Sequence, residues 1–501
     1  MFNKVLISNR GEIAIRVIRA CRELGIKSVA VYSEADRESL HVRYADECYC
    51  IGPAKPAQSY LDINKMIEVA KKSGSEAIHP GYGFLAQIPA FAEKCESNDI
   101  EFIGPRGEVL RKMGNKVTAR RTMASAGIPV IPGSMNAVKD EDEVAEVAEK
   151  VGYPVLIKAV YGGGGKGMRV VNSKGDIEKA MELARLEAVA SFGSSEVYVE
   201  KFLTKPRHIE FQMLADKKSN VIHLGERECS IQRRYQKLIE ETPSPMMAEE
   251  LRKVMGQRAI QATKAANYTN AGTLEFLVDR EGNFYFLEMN TRLQVEHVIT
   301  EMVTGVDIVK EQLRIAAGEK FRYKQDDITM RGHALNCRIN SEDPYSDFMP
   351  CPGTITRYLA PGGPGVRVDS ALYAGYNIPI FYDSLVAKLA VWGISRDEVI
   401  LRMKNALDEY VIEGVETTIP FHKKILDDEY FRRGEIHTDF IRERIDSLTV
   451  EEFEGEEVAA LSAVLAAYLS SRREGLAVIP QRRAEGASAW KMSGRRALME
   501  P

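Results

Sequence analysis

Residues 4–32 carry a strand, a helix and a strand in succession, and that pattern constrains the fold more than any other stretch of the chain. Lys4 to Ser8 is an apolar strand run, Asn9-Arg10-Gly11-Glu12 opens a helical pattern reaching Leu24, Gly25 caps it, and Ser28 to Tyr32 is the next strand. Strand, helix, strand at this spacing is a βαβ unit, which implies a parallel sheet. Another strand at Ala77-Ile78 feeds the loop His79-Pro80-Gly81-Tyr82-Gly83-Phe84, and Glu101 to Pro105 repeats the strand-then-turn pattern. Residues 1 to about 113 are therefore expected to form a doubly wound domain. No G-x-G-x-x-G follows the first strand, so dinucleotide binding is not supported.

A chain of 501 residues exceeds one compact core, and two to four domains are expected. Its 68 basic and 72 acidic residues leave a net charge of -4, too weak a field for general attraction to nucleic acid or a membrane. No apolar stretch reaches the roughly 20 residues that span a bilayer. Met1 to Arg10 runs straight into the first strand without a signal-peptide pattern, so a cytoplasmic location is expected. The seven cysteines are scattered and odd in number, which does not describe a disulfide framework. Cys48 and Cys50 form the only close pair; they are expected to point to opposite faces of an extended segment and to be reduced structural thiols.

The texture changes from about residue 130. Tyr153 to Lys158 and Met168 to Val171 read as strands on either side of a glycine run, with further strands near 196–200 and 208–213. Thr273 to Val278 and Phe284 to Asn290 read as a hairpin. Short strands with Gly/Pro turns follow residue 330, then a helix at 395–410. Residues 451–457 are acidic, 456–470 form an alanine-rich helical pattern, and 471–501 are basic.

Two segments carry chemistry. Gly162 to Gly165, with Lys166, Gly167 and Met168, lets backbone N–H groups approach an anion closely, and the lysine adds a point charge. A Walker A loop requires Gly at 160 and Ser or Thr at 167, where this chain has Val160 and Gly167; strands flank the run, so a flap over phosphates is expected. By itself a glycine run is more often a flexible loop. Glu288 and Asn290 stand two apart on a strand, so both face one side, and Glu275 on the paired strand can face them. Hard oxygens beside a phosphate flap suit Mg²⁺ bridging ATP phosphates, although a solvated strand face explains the pair alone. Arg292-Leu293-Gln294-Val295-Glu296-His297 follows at once, setting a guanidinium fork, an amide and a carboxylate together: an oxyanion holder beside a candidate base.

These residues belong to eight segments that together resemble the biotin carboxylase branch of the ATP-grasp superfamily over about residues 1–446. The segments are ISNRGEIAIRVIRACRELGI (7–26), HPGYGFL (79–85), MGNK (113–116), GYPVLIKA (152–159), GGGGKGM (162–168), ERECSIQRR (226–234), FLEMNTRLQVEH (286–297) and CRINSEDP (337–344). The resemblance implies an α/β and α+β multidomain fold. It comprises an N-terminal doubly wound parallel-sheet domain (1–113), an ATP-grasp domain (114–330) with a mobile lid near 132–203, a C-terminal mixed α+β biotin carboxylase domain (331–446) and a tail (447–501). It implies that Lys116, Lys158, Gly163, Gly164, Gly165, Lys166, Gly167 and Met168 hold the ATP phosphates. Glu200, Lys201 and Leu203 would border the adenosine, with His208 and Gln232 nearby. Glu275, Glu288 and Asn290 would bind Mg²⁺ or Mn²⁺, as two ions. Bicarbonate would lie against Lys237, Arg292, Gln294 and Val295. Glu296 would ready it to attack the γ-phosphate, giving carboxyphosphate. Arg338 would stabilise the enolate-like ureido oxygen of biotin, and Tyr82 would line its pocket.

The chain departs from the family pattern in three places. Ala86-Gln87-Ile88-Pro89 replaces the usual Ser-Glu-Asn, Tyr235 stands where histidine is usual, and Pro364 replaces an aromatic at the dimer contact, while Arg19 and Glu23 are present. A homodimer is still expected. Cys229 matches a family cysteine and is read as structural. Trp490-Lys491-Met492 echoes a biotinylation turn, but the expected second half of a carrier barrel does not follow. Biotin is therefore expected on a partner carrier/carboxyltransferase chain, which the alanine-rich helix would dock. The acceptor is expected to be pyruvate, with an acyl-CoA as the alternative. Another ATP-grasp ligase, of the carbamoyl-phosphate or purine-pathway kind, and a catalytically silent nucleotide scaffold are the rival readings.

Overall fold

Strands β1 (Lys4–Ile7), β2 (Lys27–Tyr32), β3 (Glu47–Cys50), β4 (Ala77–His79) and β5 (Glu101–Phe102) form an all-parallel sheet in the order β3-β2-β1-β4-β5. The helix Gly11–Glu23 makes the first crossover and buries Ile13, Ala14, Val17, Ile18 and Cys21. Gly25 ends it in the left-handed region at φ 71°, which glycine adopts without a Cβ clash. Strand order reverses between β1 and β4, and a crevice opens beyond the carboxyl ends of strands at such a point. Asn9 follows β1 there, and its side-chain amide donates to the carbonyls of Pro80 and Tyr82, each at 2.7 Å, which fixes the Tyr82 loop over the crevice. Cys48 and Cys50 do not point to opposite faces. Both are exposed on one side of β3, as residues two apart on a strand must be.

The computed structural model describes residues 1–162, 167–449, 460 and 462–468 and forms two units, Met1–Thr449 and Val450–Pro501. In the first unit, β6 (Val155–Ala159), β7 (Arg169–Val171) and β8 (Val197–Lys201) make an antiparallel sheet in the order β7-β6-β8. The helices Glu141–Val151 and Ile177–Phe192 pack on this sheet around Val144, Ala148, Ile157 and Val199. The glycine run joins β6 to β7, so it is flanked by paired strands, as expected; Gly163 to Lys166 lie outside the described residues.

A third sheet carries the chemistry. It contains β9 (Arg207–Ala215), β10 (Val221–Arg233), β11 (Gln236–Thr242), β12 (Asn270–Val278), β13 (Phe284–Asn290), β14 (His333–Asn340), β15 (Val366–Ser370) and β16 (Leu385–Gly393). Their antiparallel order is β13-β12-β9-β10-β11-β14-β16-β15, so pairing of β11 with β14 carries one sheet across residue 330. The hairpin read from the sequence is present, with Glu275 opposite Glu288 and Thr273 opposite Asn290. The helix expected at 395–410 spans Arg396–Glu409, and Ser395 caps it by accepting from the Glu398 N–H. Leu335, Ile339, Leu389, Met403 and Phe421 form the core beneath β14 and β16. Among the described residues, no helix is long and apolar enough to cross a membrane. In the second unit Ala460 and residues 462–468 are helical; the rest of the expected tail helix and Lys491 lie outside the described residues.

Candidate active site

A cavity of about 540 Å³ opens between the β6–β8 sheet and the hairpin β12–β13. Lys116, Lys158, Met168, Glu200, Lys201, Leu203, His208, Gln232, Glu275 and Glu288 all line it, so most of the residues expected around ATP converge. β6 presents Lys158 and β8 presents Glu200, both buried, with Nζ 2.8 Å from Oε1. Lys116 Nζ donates to Glu288 Oε2 at 3.2 Å. Gly167 closes the described end of the glycine run at φ 69°, where a Cβ would come within 3.0 Å of the Ala159 methyl. Phe202, between Lys201 and Leu203, also lines it, and apolar walls that sequence reasoning missed come from Ile131, Leu156, Val170, Leu277, Leu287 and Ile441. An apolar lining of this kind suits a flat heterocycle.

At the inner end a continuous web of charge begins. Lys237 Nζ, on β11, donates to Glu210 at 2.5 Å, Glu275 at 2.8 Å and Glu296 Oε1 at 2.8 Å. Burial works against its charge, but Cys229 and those carboxylates together override it and hold the ammonium well above its ordinary range. The second oxygen of Glu296 accepts from Arg338 Nη2 at 2.9 Å, and Arg338 Nε donates to Glu240 at 2.6 Å. Burial opposes ionisation of Glu296, which is wholly enclosed, yet Lys237, Arg338 and Arg227 outweigh it and hold the carboxyl well below the usual carboxylate range. Glu275 is likewise held low against its burial, by Lys237 and by His208, whose Nε2 lies 3.1 Å from it.

The segment after β13 folds back onto this web. Asn290 Nδ2 and Gln294 Nε2 both donate to Glu275 Oε1, at 2.8 and 3.1 Å, and Arg292 donates to Asn290, Gln294 and the Leu293 carbonyl. Val295 is half-buried in the turn before the helix His297–Thr304. The web thus joins Lys237, Glu275, Asn290, Arg292, Gln294, Glu296 and Arg338. Tyr82 stands on the other flank: the Nζ of buried Lys388 lies 5.7 Å from its ring centroid, and Lys388 pairs with Arg338 across β14 and β16. Cys229 is buried in the web, and burial pushes its thiol well above the ordinary range, so it stays protonated.

Three charged residues of the web escaped the sequence reading: Glu210, Arg227 and Glu240. Arg227 and Glu210 are fully buried and meet at 2.5 Å. An acid inside the apolar strand run His208-Ile209-Glu210-Phe211 was the available signal, since a buried carboxylate demands a partner. Two carboxylates and an amide oxygen (Glu275, Glu288 and Asn290) form a hard-oxygen donor set that fits Mg²⁺ or Mn²⁺. The arrangement can hold a nucleotide triphosphate, fix a small oxyanion by Arg292 and Lys237, and offer it an ionised carboxylate.

Comparison with known proteins agrees with this chemistry. Residues 1–110 match the biotin carboxylase N-terminal domain, residues 115–324 the carbamoyl-phosphate synthase L chain ATP-binding domain, and residues 336–443 the biotin carboxylase C-terminal domain. The ATP-binding segment is therefore common ground with the carbamoyl-phosphate rival, and the flanking biotin carboxylase domains separate this chain from it. The chain is 56% identical to a pyruvate carboxylase subunit of Methanothermobacter thermautotrophicus over 94% of its own length and all of that protein's. It is 54% identical to biotin carboxylase 1 of Bacillus subtilis, covering 88% of this chain and 98% of that one. The biotin carboxylase domain dimer of Hydrogenobacter thermophilus 2-oxoglutarate carboxylase, in complex with MgADP, ADP and bicarbonate, superposes with a TM-score of 0.88. It is 50% identical and covers 90% of this chain and 100% of that one. Fold, site and relatives agree: this chain belongs to the biotin carboxylase family.

Proposed function

We propose that the chain is the biotin carboxylase component of a two-subunit pyruvate carboxylase, in which ATP and bicarbonate are used to carboxylate biotin borne on a partner chain. The observation that carries the chemistry is the shared carboxylate of Glu296, gripped by Lys237 on one oxygen and Arg338 on the other. It is ionised, enclosed and adjacent to the oxyanion holder. The likeness to the pyruvate carboxylase subunit of Methanothermobacter thermautotrophicus supports the acceptor, because that match covers 94% of the chain and so extends beyond Thr449, into the segment read as a docking helix.

In this reading Lys116, Lys158 and the glycine run (Gly163 to Met168) hold the phosphates, and Glu200, Lys201, Leu203, His208 and Gln232 border the nucleoside. Glu275, Glu288 and Asn290 would hold Mg²⁺ or Mn²⁺, which when bound neutralises phosphate charge. Lys237, Arg292, Gln294 and Val295 orient bicarbonate. Glu296 takes its proton as the bicarbonate oxygen attacks the γ-phosphorus and ADP departs. Carboxyphosphate then yields CO₂ beside biotin, whose ureido oxygen Arg338 stabilises as charge develops there. Tyr82 lines that end. Phosphates, anion and biotin each face a cation held by a buried partner, so little reorganisation is needed at each step. A homodimer and a cytoplasmic location complete the proposal.

The test is ATP cleavage by the purified chain with Mg²⁺ and bicarbonate, with and without free biotin. Biotin-stimulated cleavage is expected; absent or biotin-indifferent cleavage overturns the reading. Reconstitution with the carrier/carboxyltransferase partner chain, supplied with pyruvate, an acyl-CoA or 2-oxoglutarate, identifies the acceptor, and carboxylation of anything but pyruvate overturns that part.

A further inference from the structure

Arg292 is held by four oxygens, and none of them is charged. Nε donates to Gln87 Oε1 at 2.8 Å, Nη1 to the Leu293 carbonyl and to Gln294 Oε1, each at 3.1 Å, and Nη2 to Asn290 Oδ1 at 3.2 Å. Gln87 also donates from its own amide to Thr291 Oγ1 at 3.3 Å, so it bridges the Tyr82 loop to the segment after β13. Among the described residues, every other cation of the web is paired directly with a carboxylate: Lys237 with three, Arg338 with two and Arg227 with Glu210. Arg292 has none. Its guanidinium is planar and oriented, and its charge is left uncancelled at contact range.

We infer that Gln87 is a positioning residue that aims the Arg292 guanidinium while leaving its charge free for the incoming oxyanion. The chemistry turns on one atom. A carboxylate at position 87 would make the same contact to Nε but would convert it to a charge-assisted pair, stronger than the neutral bond by about twofold. The substrate anion would then compete with a resident one. The neutral amide keeps the geometry and removes the competitor. Position 87 is also where the chain carries an amide in place of the glutamate of the expected Ser-Glu-Asn, so Gln87→Glu restores that glutamate.

The inference rests on the reading of Arg292 as a bicarbonate holder, and its test separates the two. Steady-state ATP cleavage is measured in the full chain with biotin present, over a bicarbonate titration, for Gln87→Glu, Gln87→Ala and Arg292→Ala. Gln87→Glu is expected to raise KM for bicarbonate at least fivefold, with kcat and KM for ATP within about twofold. Gln87→Ala, which stays neutral, is expected to raise it less than Gln87→Glu does. Gln87 is exposed and the exchange to glutamate is isosteric, so ATP-dependent thermal stabilisation of the two Gln87 variants should match the parent. A bicarbonate KM that Gln87→Glu leaves unchanged, or that Gln87→Ala raises as much, overturns the inference. The same holds if kcat and both KM values move together. If Arg292→Ala also leaves bicarbonate KM unchanged, the reading of Arg292 falls; if it raises KM while Gln87→Glu does not, only the role of Gln87 falls.

Discussion

Glu296 keeps its charge in an enclosed position because two cations divide it, Lys237 at one oxygen and Arg338 at the other. That grip has a kinetic meaning. A carboxylate held this low is always ionised near neutrality, yet it is a poor base until one cation turns toward substrate. Binding of the oxyanion against Lys237 and Arg292, and of the ureido oxygen against Arg338, would loosen both contacts and restore basicity when it is needed. Glu296→Ala is expected to lower kcat by about 10²–10⁴, the usual range for a positioned proton acceptor. The variant should still bind ATP, because Lys237 retains Glu210 and Glu275 and Arg338 retains Glu240, so neither cation is stranded. Turnover against nucleotide binding by calorimetry separates the two outcomes. Since its folded pKa lies below the unfolded value, Glu296 contributes stability above about pH 4.5 and loses it as pH falls further. An acid limb near neutrality in kcat/KM, which reports the free enzyme, must therefore belong to another group.

At the scale of strands, the site depends on a buried ion cluster that ties four elements together. Arg227 on β10 donates to Glu210 and Gln212 on β9, to Thr273 on β12 and to Thr300 on the helix that follows Glu296. Losing one member of a buried pair leaves an uncompensated charge, which costs about 3–5 kcal/mol. Glu210→Ala is accordingly expected to destabilise the chain by that amount, and Glu210→Gln by less, as read from urea midpoints. Equal midpoints for Glu210→Ala and the parent would show that the cluster is solvated. The hairpin β12–β13 and its acids were legible in the sequence, because alternating Phe and Glu on adjacent runs reports both pairing and face within twenty residues. The charged partners were not. Arg338 meets Glu240 only because β11 pairs with β14, 98 residues apart along the chain, and no local pattern announces such a register. The expectation for Cys48 and Cys50 fails for a different reason: residues two apart share a strand face, so alternation puts both thiols on one side. Gln87 was visible as an odd residue, but its tie to Arg292 spans 205 residues and needed the fold.

Across the whole first unit, buried titratable groups respond to pH in opposite senses, one where the parallel-sheet domain meets the large antiparallel sheet and one inside that domain. Glu12, on the first helix, lies 2.9 Å from the fully buried Lys388 of β16, with Asp369 3.6 Å from that lysine. Burial raises the Glu12 carboxyl to about 7, although Lys388 pulls it down. A folded value above the unfolded 4.5 means that its stabilising contribution is complete below about pH 4.5 and is lost as pH rises through 7. His41, in the same domain, is fully buried with Nε2 3.3 Å from the Val31 carbonyl, and burial beside Arg10 lowers it to about 4 despite Asp36. Its folded value lies below the unfolded 6.5, so its contribution is complete above 6.5 and is lost as pH falls toward 4. Two variants should therefore diverge from the parent in opposite directions. With His41→Gln, any deficit in thermal midpoint should be largest near pH 7.5 and narrow on acidification, by about 1.4 kcal/mol per pH unit between 6.5 and 4. With Glu12→Gln, the midpoint should gain on the parent as pH rises from 5 to 8, by up to roughly 3 kcal/mol. The gap-against-pH slopes must have opposite signs; parallel slopes would mean that the two groups do not titrate in the fold as described, and that these sites are wet rather than dry.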